Sequence, residues 1–412
     1  YSYKTKEDGE GALFGTIGAE GVVSNLTSAG EISGGLGGPK GTTKLGHVGG
    51  FVGRLYGKLV NVTNTGKVKG IATYNAGVAG FVQQGAVLDG VKNYGEITSS
   101  AAYVAGVAAY VYEDAEFNKC VNYGNISSSV AAGYAAGIAA TALPSKFVEC
   151  VNEGQISSGS SAGIVANCSG KSGGLIYTFD RCQNNGEVTG NGILGGITAV
   201  QGATAGNNVC HYIQCVNNGD ITATATQAVS SSAMAGIAAF YSPGSVFEYC
   251  INTGFVTNTK SVYTAGIAAN NKGSATADYP VVFKGCVNTG NIASSAQQIA
   301  GIVAYITNYT SVDSCLNYGT IEQGIWGAAG ICYTMAGTTS SLTNCINYGD
   351  VSVTQYNAGG IVGNCASTTA VIENCVNVGN ITSTTTAEKN NYGVGGIAGS
   401  SYATMKNCFN AG

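Results

Sequence analysis

Cysteine is the residue type with the clearest chemical potential in this sequence. Ten of the fourteen cysteines recur about once every thirty residues, each two positions before an asparagine. Thiols repeated in this way could pair as disulfides, hold a metal or fill an apolar space. Val62 and Val91 take the same position in the two earliest copies, so we expect an apolar slot filled by stacked, reduced thiols. The ten are Cys120, Cys150, Cys182, Cys215, Cys250, Cys286, Cys315, Cys345, Cys375 and Cys408.

The other chemistry open to these thiols is less well supported. Systematic disulfides would require pairwise geometry along the column. A zinc site needs four converging ligands, and His47 and His211 are the only histidines. We therefore expect no metal and no other cofactor. Four cysteines lie off the column, and a bond between Cys210 and Cys215 stays open. These four are Cys168, Cys210, Cys332 and Cys365.

Carboxylates are the second group that could do chemistry. Polysaccharide lyases and glycoside hydrolases need clustered carboxylates, or a calcium site with a base. The 22 acidic residues are spread thinly, and the densest group, Glu113, Asp114 and Glu116, falls in a connection and is typical of a solvated turn. We expect no catalytic residue and a protein that is not an enzyme. A β-helical polysaccharide lyase or glycoside hydrolase is the alternative.

The elements that must position these residues come from an internal repeat. One motif reads Ala/Gly-Gly-Ile/Val-x-Gly/Ala and the other reads Cys-x-Asn-x-Gly-x-Ile/Val, and the two alternate twelve times. The glycines of the first motif are Gly50, Gly77, Gly106, Gly137, Gly163, Gly196, Gly236, Gly266, Gly301, Gly330, Gly360 and Gly396. The asparagines of the second are Asn64, Asn93, Asn122, Asn152, Asn184, Asn217, Asn252, Asn288, Asn317, Asn347, Asn377 and Asn410.

The repeat predicts an all-β fold. Apolar residues alternate with a period of two around each motif, as at Ala105, Val107 and Ala109, which is the pattern of short strands. One rung cannot bury its own inner face, but stacked rungs can. We predict a parallel β-solenoid (β-helix) of about twelve ~30-residue rungs over residues 47–412. Residues 1–46 are expected to form an N-terminal cap with a degenerate first rung at Leu13–Ile32.

Two columns of the predicted solenoid have a clear physical interpretation, and one does not. Stacked asparagines can hydrogen-bond to one another along the axis, so we expect an inward-facing structural ladder. The residue before each first-motif glycine is Ala or Gly, and the residue three after it is small except at Tyr333. We therefore expect both faces of that strand to be shielded from water, and the sequence does not show which residues cover the outer face.

Tyrosines and long connections suggest where a ligand could bind. Three stretches between a first-motif glycine and the cysteine column are unusually long and contain Tyr177, Tyr212 and Tyr279. Because loops on a rigid scaffold often carry function, we expect these three tyrosines to line a ligand surface. Tolerated surface insertions are the alternative. Threonine-rich runs at Ile221–Thr226 and Ile381–Thr386 do not recur in every rung, so we expect no regular ice-binding array.

The first motif resembles that of the GLUG-motif repeat family. It appears as Gly-apolar-x-Gly at Gly50–Gly53, Gly77–Gly80, Gly360–Gly363 and Gly396–Gly399, whereas seven other rungs end the motif in Ala and one in Tyr333. The resemblance covers about residues 47–412. It implies a secreted or wall-attached bacterial protein, similar to adhesin-like chains and to non-catalytic regions of IgA-cleaving proteases, and it carries over no catalytic residue.

Composition narrows the remaining choices. The net charge of −4 and the absence of a basic stripe argue against nucleic acid as a partner. No apolar run reaches the ~18–20 residues of a membrane span. The first residue is Tyr1, so we expect a mature or trimmed chain without its signal peptide, and beyond Gly412 either further sequence or a docked partner.

We therefore expect an extracellular or cell-surface module of a bacterium. Repetition, low charge and the lack of a catalytic group favour an adhesion or spacer role. The partner would be a host or bacterial surface protein or a glycan.

Overall fold

The computed structural model describes residues 2–4, 11–34, 46–70, 72–170, 176–202, 208–224, 232–258, 262–295, 297–323, 326–384 and 393–412. Within these ranges the regular elements are all β-strands, and no helix is present that could cross a membrane. The strands form five parallel sheets, one of twelve strands and four of thirteen. The predicted all-β parallel β-solenoid is therefore confirmed.

Each rung contributes one strand to each of the five sheets in turn. In one rung these are Tyr103–Ala105, Ala108–Val111, Glu116–Asn118, Val121–Asn122 and Ile126–Ser128. Each strand pairs with its equivalents in the rungs before and after, so identical motif positions lie side by side.

The first sheet holds the residues that precede the first-motif glycine, and its twelve strands match the twelve copies of that motif. Its strands are His47–Gly49, Tyr74–Ala76, Tyr103–Ala105, Tyr134–Ala136, Ser160–Ala162, Leu194–Gly195, Ala233–Ala235, Tyr263–Ala265, Gln298–Ala300, Gly327–Ala329, Ala358–Gly359 and Val394–Gly395.

The second sheet follows that glycine. Its strands are Phe14–Ile17, Val52–Leu55, Ala79–Val82, Ala108–Val111, Ala139–Ala142, Val165–Cys168, Thr198–Gln201, Ala238–Tyr241, Ala268–Asn271, Val303–Ile306, Cys332–Met335, Val362–Cys365 and Ala398–Ser401.

The third sheet precedes the cysteine column and carries an inward row of large apolar side chains. Its strands are Val22–Ser24, Lys58–Val60, Val87–Asp89, Glu116–Asn118, Lys146–Val148, Tyr177–Asp180, Cys210–Ile213, Val246–Glu248, Val281–Lys284, Thr310–Asp313, Ser341–Thr343, Val371–Glu373 and Thr404–Lys406.

The fourth sheet consists of two-residue strands, and all of them end on the asparagine of the second motif except the first, which ends on Ser28. Its strands are Thr27–Ser28, Thr63–Asn64, Lys92–Asn93, Val121–Asn122, Val151–Asn152, Gln183–Asn184, Val216–Asn217, Ile251–Asn252, Val287–Asn288, Leu316–Asn317, Ile346–Asn347, Val376–Asn377 and Phe409–Asn410.

The fifth sheet begins with the apolar residue that ends the second motif in most rungs. Its strands are Ser2–Lys4, Glu31–Gly34, Lys67–Gly70, Ile97–Ser99, Ile126–Ser128, Ile156–Ser158, Val188–Gly190, Ile221–Ala223, Val256–Asn258, Ile292–Ser294, Ile321–Gln323, Val351–Val353 and Ile381–Ser383. Phe14–Gly34 thus completes four strands of an additional rung before the first full motif pair, in the region where the sequence suggests a degenerate rung.

The asparagines form the expected ladder. The Nδ2 atom of each donates to Oδ1 of the asparagine in the next rung, as from Asn93 to Asn122 and from Asn122 to Asn152, both at 2.8 Å. The second Nδ2 hydrogen of Asn122 goes to the carbonyl of Gly124 at 2.8 Å. At the N-terminal end the Oγ of Ser28 donates to the Oδ1 of Asn64 at 2.9 Å. The ladder therefore satisfies a buried amide in every rung.

The two motifs alternate because their central residues face each other across the interior. A Cβ atom placed on Gly106 would lie 2.2 Å from Oδ1 of Asn122 in the same rung, and Gly236 and Asn252 repeat this relationship. Only a residue without a side chain fits opposite the ladder. The ladder and its glycines also separate two apolar clusters, one around Phe117 between the second and third sheets and one around Ile126 between the fifth and first.

Aromatic side chains cover the outer face that the sequence left unexplained. Ala76 and Ala109 are fully buried, yet they belong to a third cluster with Tyr74 and Phe81, separate from the two interior clusters. The rings of Tyr74 and Phe81 are 5.0 Å apart, and burial raises the pKa of Tyr74 to about 12. The outer surfaces of the first two sheets thus shield their own small residues.

Candidate functional site

Tyr212, one of the three predicted ligand-surface residues, lies in the core. Its side chain is fully buried within an interior stack of rings, 5.1 Å from Phe179 and 4.6 Å from Phe247. Its hydroxyl hydrogen-bonds to the Oγ1 of Thr198 at 2.6 Å and to the side chain of Gln201. Burial raises the pKa of the Tyr212 phenol. The expectation of a surface role was wrong for this residue, because its strand turns the ring inward.

Tyr177 is also buried and is corrected in the same way. Its hydroxyl donates to the carbonyl of Ala142 at 2.9 Å, and burial raises the pKa of this phenol as well. Two inward positions explain both errors. Tyr212 stands three residues before a column cysteine, where Phe117, Phe147 and other core residues stand, and Tyr177 stands five before one.

Tyr279 alone of the three reaches the surface, and the residue is 42% exposed. It packs near the corner at Gly244, whose φ of +86° suits a glycine. The structure does not bring the three tyrosines together on one surface. Residues 171–175 and 203–207 of the long connections lie outside the described residues.

Exposed tyrosines do form columns elsewhere, directly after the asparagine ladder. Tyr94 stacks on Tyr123 with ring centroids 4.4 Å apart, and Tyr318 stacks on Tyr348 at 4.6 Å. Because the two rings of each pair are parallel to within 8°, one face of each ring is covered by its partner. A sugar ring that stacks on an aromatic face would find few open faces here.

The densest acidic group is engaged in a surface turn. Asp114 adopts φ +59°, and the Oε1 of Glu116 pairs with the Nζ of Lys146 in the next rung at 2.9 Å. This hydrogen bond to Glu116 raises the pKa of Lys146. Among the described residues no three His, Cys, Asp or Glu side chains converge on a point where a metal ion could sit.

The column thiols stack inside the solenoid, as the valines in the first rungs indicated. Each Sγ lies near a main-chain carbonyl, and that of Cys215 donates to the carbonyl of Phe179 in the preceding rung at 3.2 Å. All fourteen cysteines are free, and Cys408 in the last rung is the one that is not fully buried. Cys210 donates instead to the carbonyl of Asn208 at 3.4 Å. Burial raises the pKa of the off-column Cys332, so this thiol is a poor nucleophile.

Hydroxyl side chains are stacked more regularly than the sequence led us to expect. On the outer face of the fifth sheet, Thr98, Ser127 and Ser157 lie in register in successive rungs, followed by Thr189 and Thr222. The threonine-rich run Ile221–Thr226 contributes only Thr222 to this column, because each rung supplies a single member. The column mixes serine with threonine, and the expectation that no regular ice-binding array of threonines forms stays a prediction.

Comparison of this chain with protein-family models, with curated proteins and with solved structures found no match.

Proposed function

We propose that this chain is a non-catalytic module of the bacterial cell surface or extracellular space, which holds its flank rigidly for adhesion to a surface protein or glycan. The single observation that carries the proposal is the unbroken asparagine ladder from Asn64 to Asn410. It fixes one rung on the next over the whole repeat, which is what a spacer requires.

The dimensions suit a spacer. At ~4.8 Å per rung, twelve rungs extend about 58 Å along the axis. Every rung repeats the same outward positions, so a column of side chains on the flank is held at a fixed spacing. A partner that contacts several rungs at once gains affinity without loop ordering, because the scaffold is already rigid.

The disposition of the reactive groups supports a non-catalytic role. The thiols and amides that repeat most regularly are buried in ladders, where they stabilise the stack. The densest carboxylates form a turn and a cross-rung ion pair. The resemblance of the glycine motif to GLUG repeats supports an extracellular or cell-surface location.

The test is to measure binding and turnover on the same ligands. The chain is applied to arrays of host and bacterial surface glycans and proteins, and each glycan that binds is then assayed for new reducing ends and unsaturated sugars. We expect binding without product. Product that disappears when Glu113, Asp114 and Glu116 are all changed to Ala would overturn the proposal in favour of a lyase or hydrolase.

A further inference from the structure

A shallow trough runs along the outer face of the fifth sheet. Its volume is ≈ 520 Å³, and its lining comes from four successive rungs between Lys69 and Ser157. Almost all of that lining is serine, threonine and glycine. The exposed hydroxyls are those of Thr98, Ser100, Ser127, Ser129 and Ser157.

These five hydroxyls are available to a ligand. Within the part of the chain that the structure describes, none of them makes a hydrogen bond to another protein group. The next member of the same column differs, because the Oγ1 of Thr189 donates to the carbonyl of Ile156 at 3.2 Å. The trough thus offers a concentration of free donors and acceptors.

A recess of ≈ 210 Å³ extends the trough and shares Ser128, Ser129 and Ser157 with it. It opens where the connection between the fifth and first sheets shortens to the single residue Gly159, whereas the preceding rung uses residues 129–133. The short connection leaves a gap between the longer connections on either side.

Ser158 lines this recess and lacks a partner. The residue is 7% exposed, and its Oγ makes no hydrogen bond among the described residues. The equivalent serines are satisfied, since the Oγ of Ser99 donates to the carbonyl of Gly70 and that of Ser128 to the carbonyl of Ala101, both at 2.8 Å. The Ser158 Oγ is covered by protein atoms, so a ligand in the adjacent recess completes it only when the serine side chain rotates toward that recess.

The lining defines the chemistry of that ligand. Lys69 is the sole charged residue in the trough, and its Nζ already pairs with the Oε2 of Glu31 at 3.3 Å, so nothing selects an anion. No aromatic ring lines it to stack on a base, and the strands beneath are already paired on both sides, so an extended peptide finds no edge. Hydroxyls that both donate and accept match the hydroxyls of sugars.

We propose that this trough binds a neutral polysaccharide, laid along the solenoid axis with one sugar hydroxyl directed toward Ser158. The inference rests on the proposed adhesive function and names its ligand class. Rungs ~4.8 Å apart repeat the same hydroxyl positions, so a chain of several sugar units engages several rungs at once.

The probes are neutral oligosaccharides (glucans, mannans and galactans) and acidic ones rich in uronic or sialic acid, first on an array and then by titration calorimetry. Ser129→Trp fills the trough from an exposed position, and Thr382→Trp adds the same side chain to the fifth sheet far from it. We expect neutral glycans to bind, with at least a tenfold loss in Ser129→Trp and none in Thr382→Trp. Ser158→Ala should weaken binding about three- to tenfold, the value of one uncharged hydrogen bond.

Several results would overturn this site. Binding only to acidic glycans, or neutral binding that Ser129→Trp leaves unchanged, would do so. Thermal hysteresis of ice growth without glycan binding would assign the hydroxyl array to ice instead. Binding to a protein but to no glycan would remove this site and leave the adhesive function standing, whereas failure to bind any ligand would remove both. Circular dichroism confirms that each variant keeps its fold.

Discussion

The replacement Asn217→Ala interrupts the ladder at its centre and tests the source of the stack's stability. Asn217 accepts from the Nδ2 of Asn184 at 2.8 Å and donates to the Oδ1 of Asn252 at 2.7 Å and to the carbonyl of Gly219 at 2.8 Å. The residue is fully buried. Its loss therefore leaves three polar groups without a partner.

The magnitude follows from those three groups. A buried group left unpaired costs ~1–3 kcal/mol. Water entering the vacated space offsets part of the loss, so we expect Asn217→Ala to destabilise the rung by about 3–5 kcal/mol. The adjacent Asn218 provides a matched control: it donates to the Oδ1 of Asn185 and accepts from the Oγ1 of Thr253, both at 2.8 Å, but it is exposed. Water can replace those bonds, so Asn218→Ala should change stability by less than about 0.5 kcal/mol.

Native-state hydrogen exchange is the appropriate assay, because a long repeat array need not unfold in one step. The opening free energy is read at the amide of Val216, which donates to the carbonyl of Cys182 at 2.9 Å, and at the distant Val376. Asn217→Ala should lower it chiefly at Val216. Equal effects of the Asn217 and Asn218 substitutions would refute the argument that the buried ladder, and not hydrogen bonding in general, holds the rungs.

Four further outcomes follow from the packing. Gly236→Ala places a Cβ 2.2 Å from the amide oxygen of Asn252 and should lower the free energy of unfolding, measured by urea denaturation, by about 2–3 kcal/mol; no change would contradict the glycine–asparagine pairing. Gly363→Ala should destabilise the chain alone but be tolerated with Tyr333→Ala, since the added Cβ would lie 2.2 Å from the Tyr333 ring; additive effects in a double-mutant cycle would argue against this contact. In the thiol column, Cys250→Val should cost under about 1.5 kcal/mol and Cys250→Ser more in thermal unfolding, and the reverse order would show that the slot is not apolar. Hydrogen bonds, first of all the one from the hydroxyl of Thr343, lower the pKa of Asp313. The carboxylate therefore stabilises the fold above its unfolded pKa of about 3.9, and this contribution is lost as the pH falls through the lower folded pKa. Asp313→Asn should flatten this acid limb of the stability–pH curve, and an unchanged slope would contradict the assignment.

The sequence was sufficient to predict the rungs, but it did not show which residues face each other across the interior of the solenoid. Alternating apolar residues identify strands, and the repeat shows that equivalent strands stack. The pairing of Gly106 with Asn122 is invisible in the spacing alone, because it depends on how the chain bends between the first and fourth sheets.

The errors at Tyr177 and Tyr212 came from the choice of reference point. Their long connections were measured from the preceding glycine, which made the tyrosines look like part of an insertion. Counting back from Cys182 and Cys215 places both rings at inward positions that phenylalanine and other core residues occupy in neighbouring rungs. Insertions therefore shift the glycine register but leave the cysteine register intact.

The trough was out of reach of the sequence for a different reason. Ser127 and Ser157 are unremarkable within their own strands and become a surface only when the rungs are stacked. The recess also depends on the short connection at Gly159, which is a single residue long. The sequence was searched for unusually long connections, and a short one was not considered. The partner of each outward residue is set by stacking, which is a property of the folded chain.

The most direct test of the stacking itself is a through-space NMR measurement on the side-chain amides of the ladder. With selective labelling of asparagine, the amide protons of Asn93, Asn122 and Asn152 should show cross-peaks from each residue to the next, because the Nδ2 atom of each lies 2.8 Å from Oδ1 of its successor. A continuous chain of such contacts is the expected result. Amides that show contacts only within their own segment of sequence would contradict the stacked ladder, and with it the spacer function that depends on it.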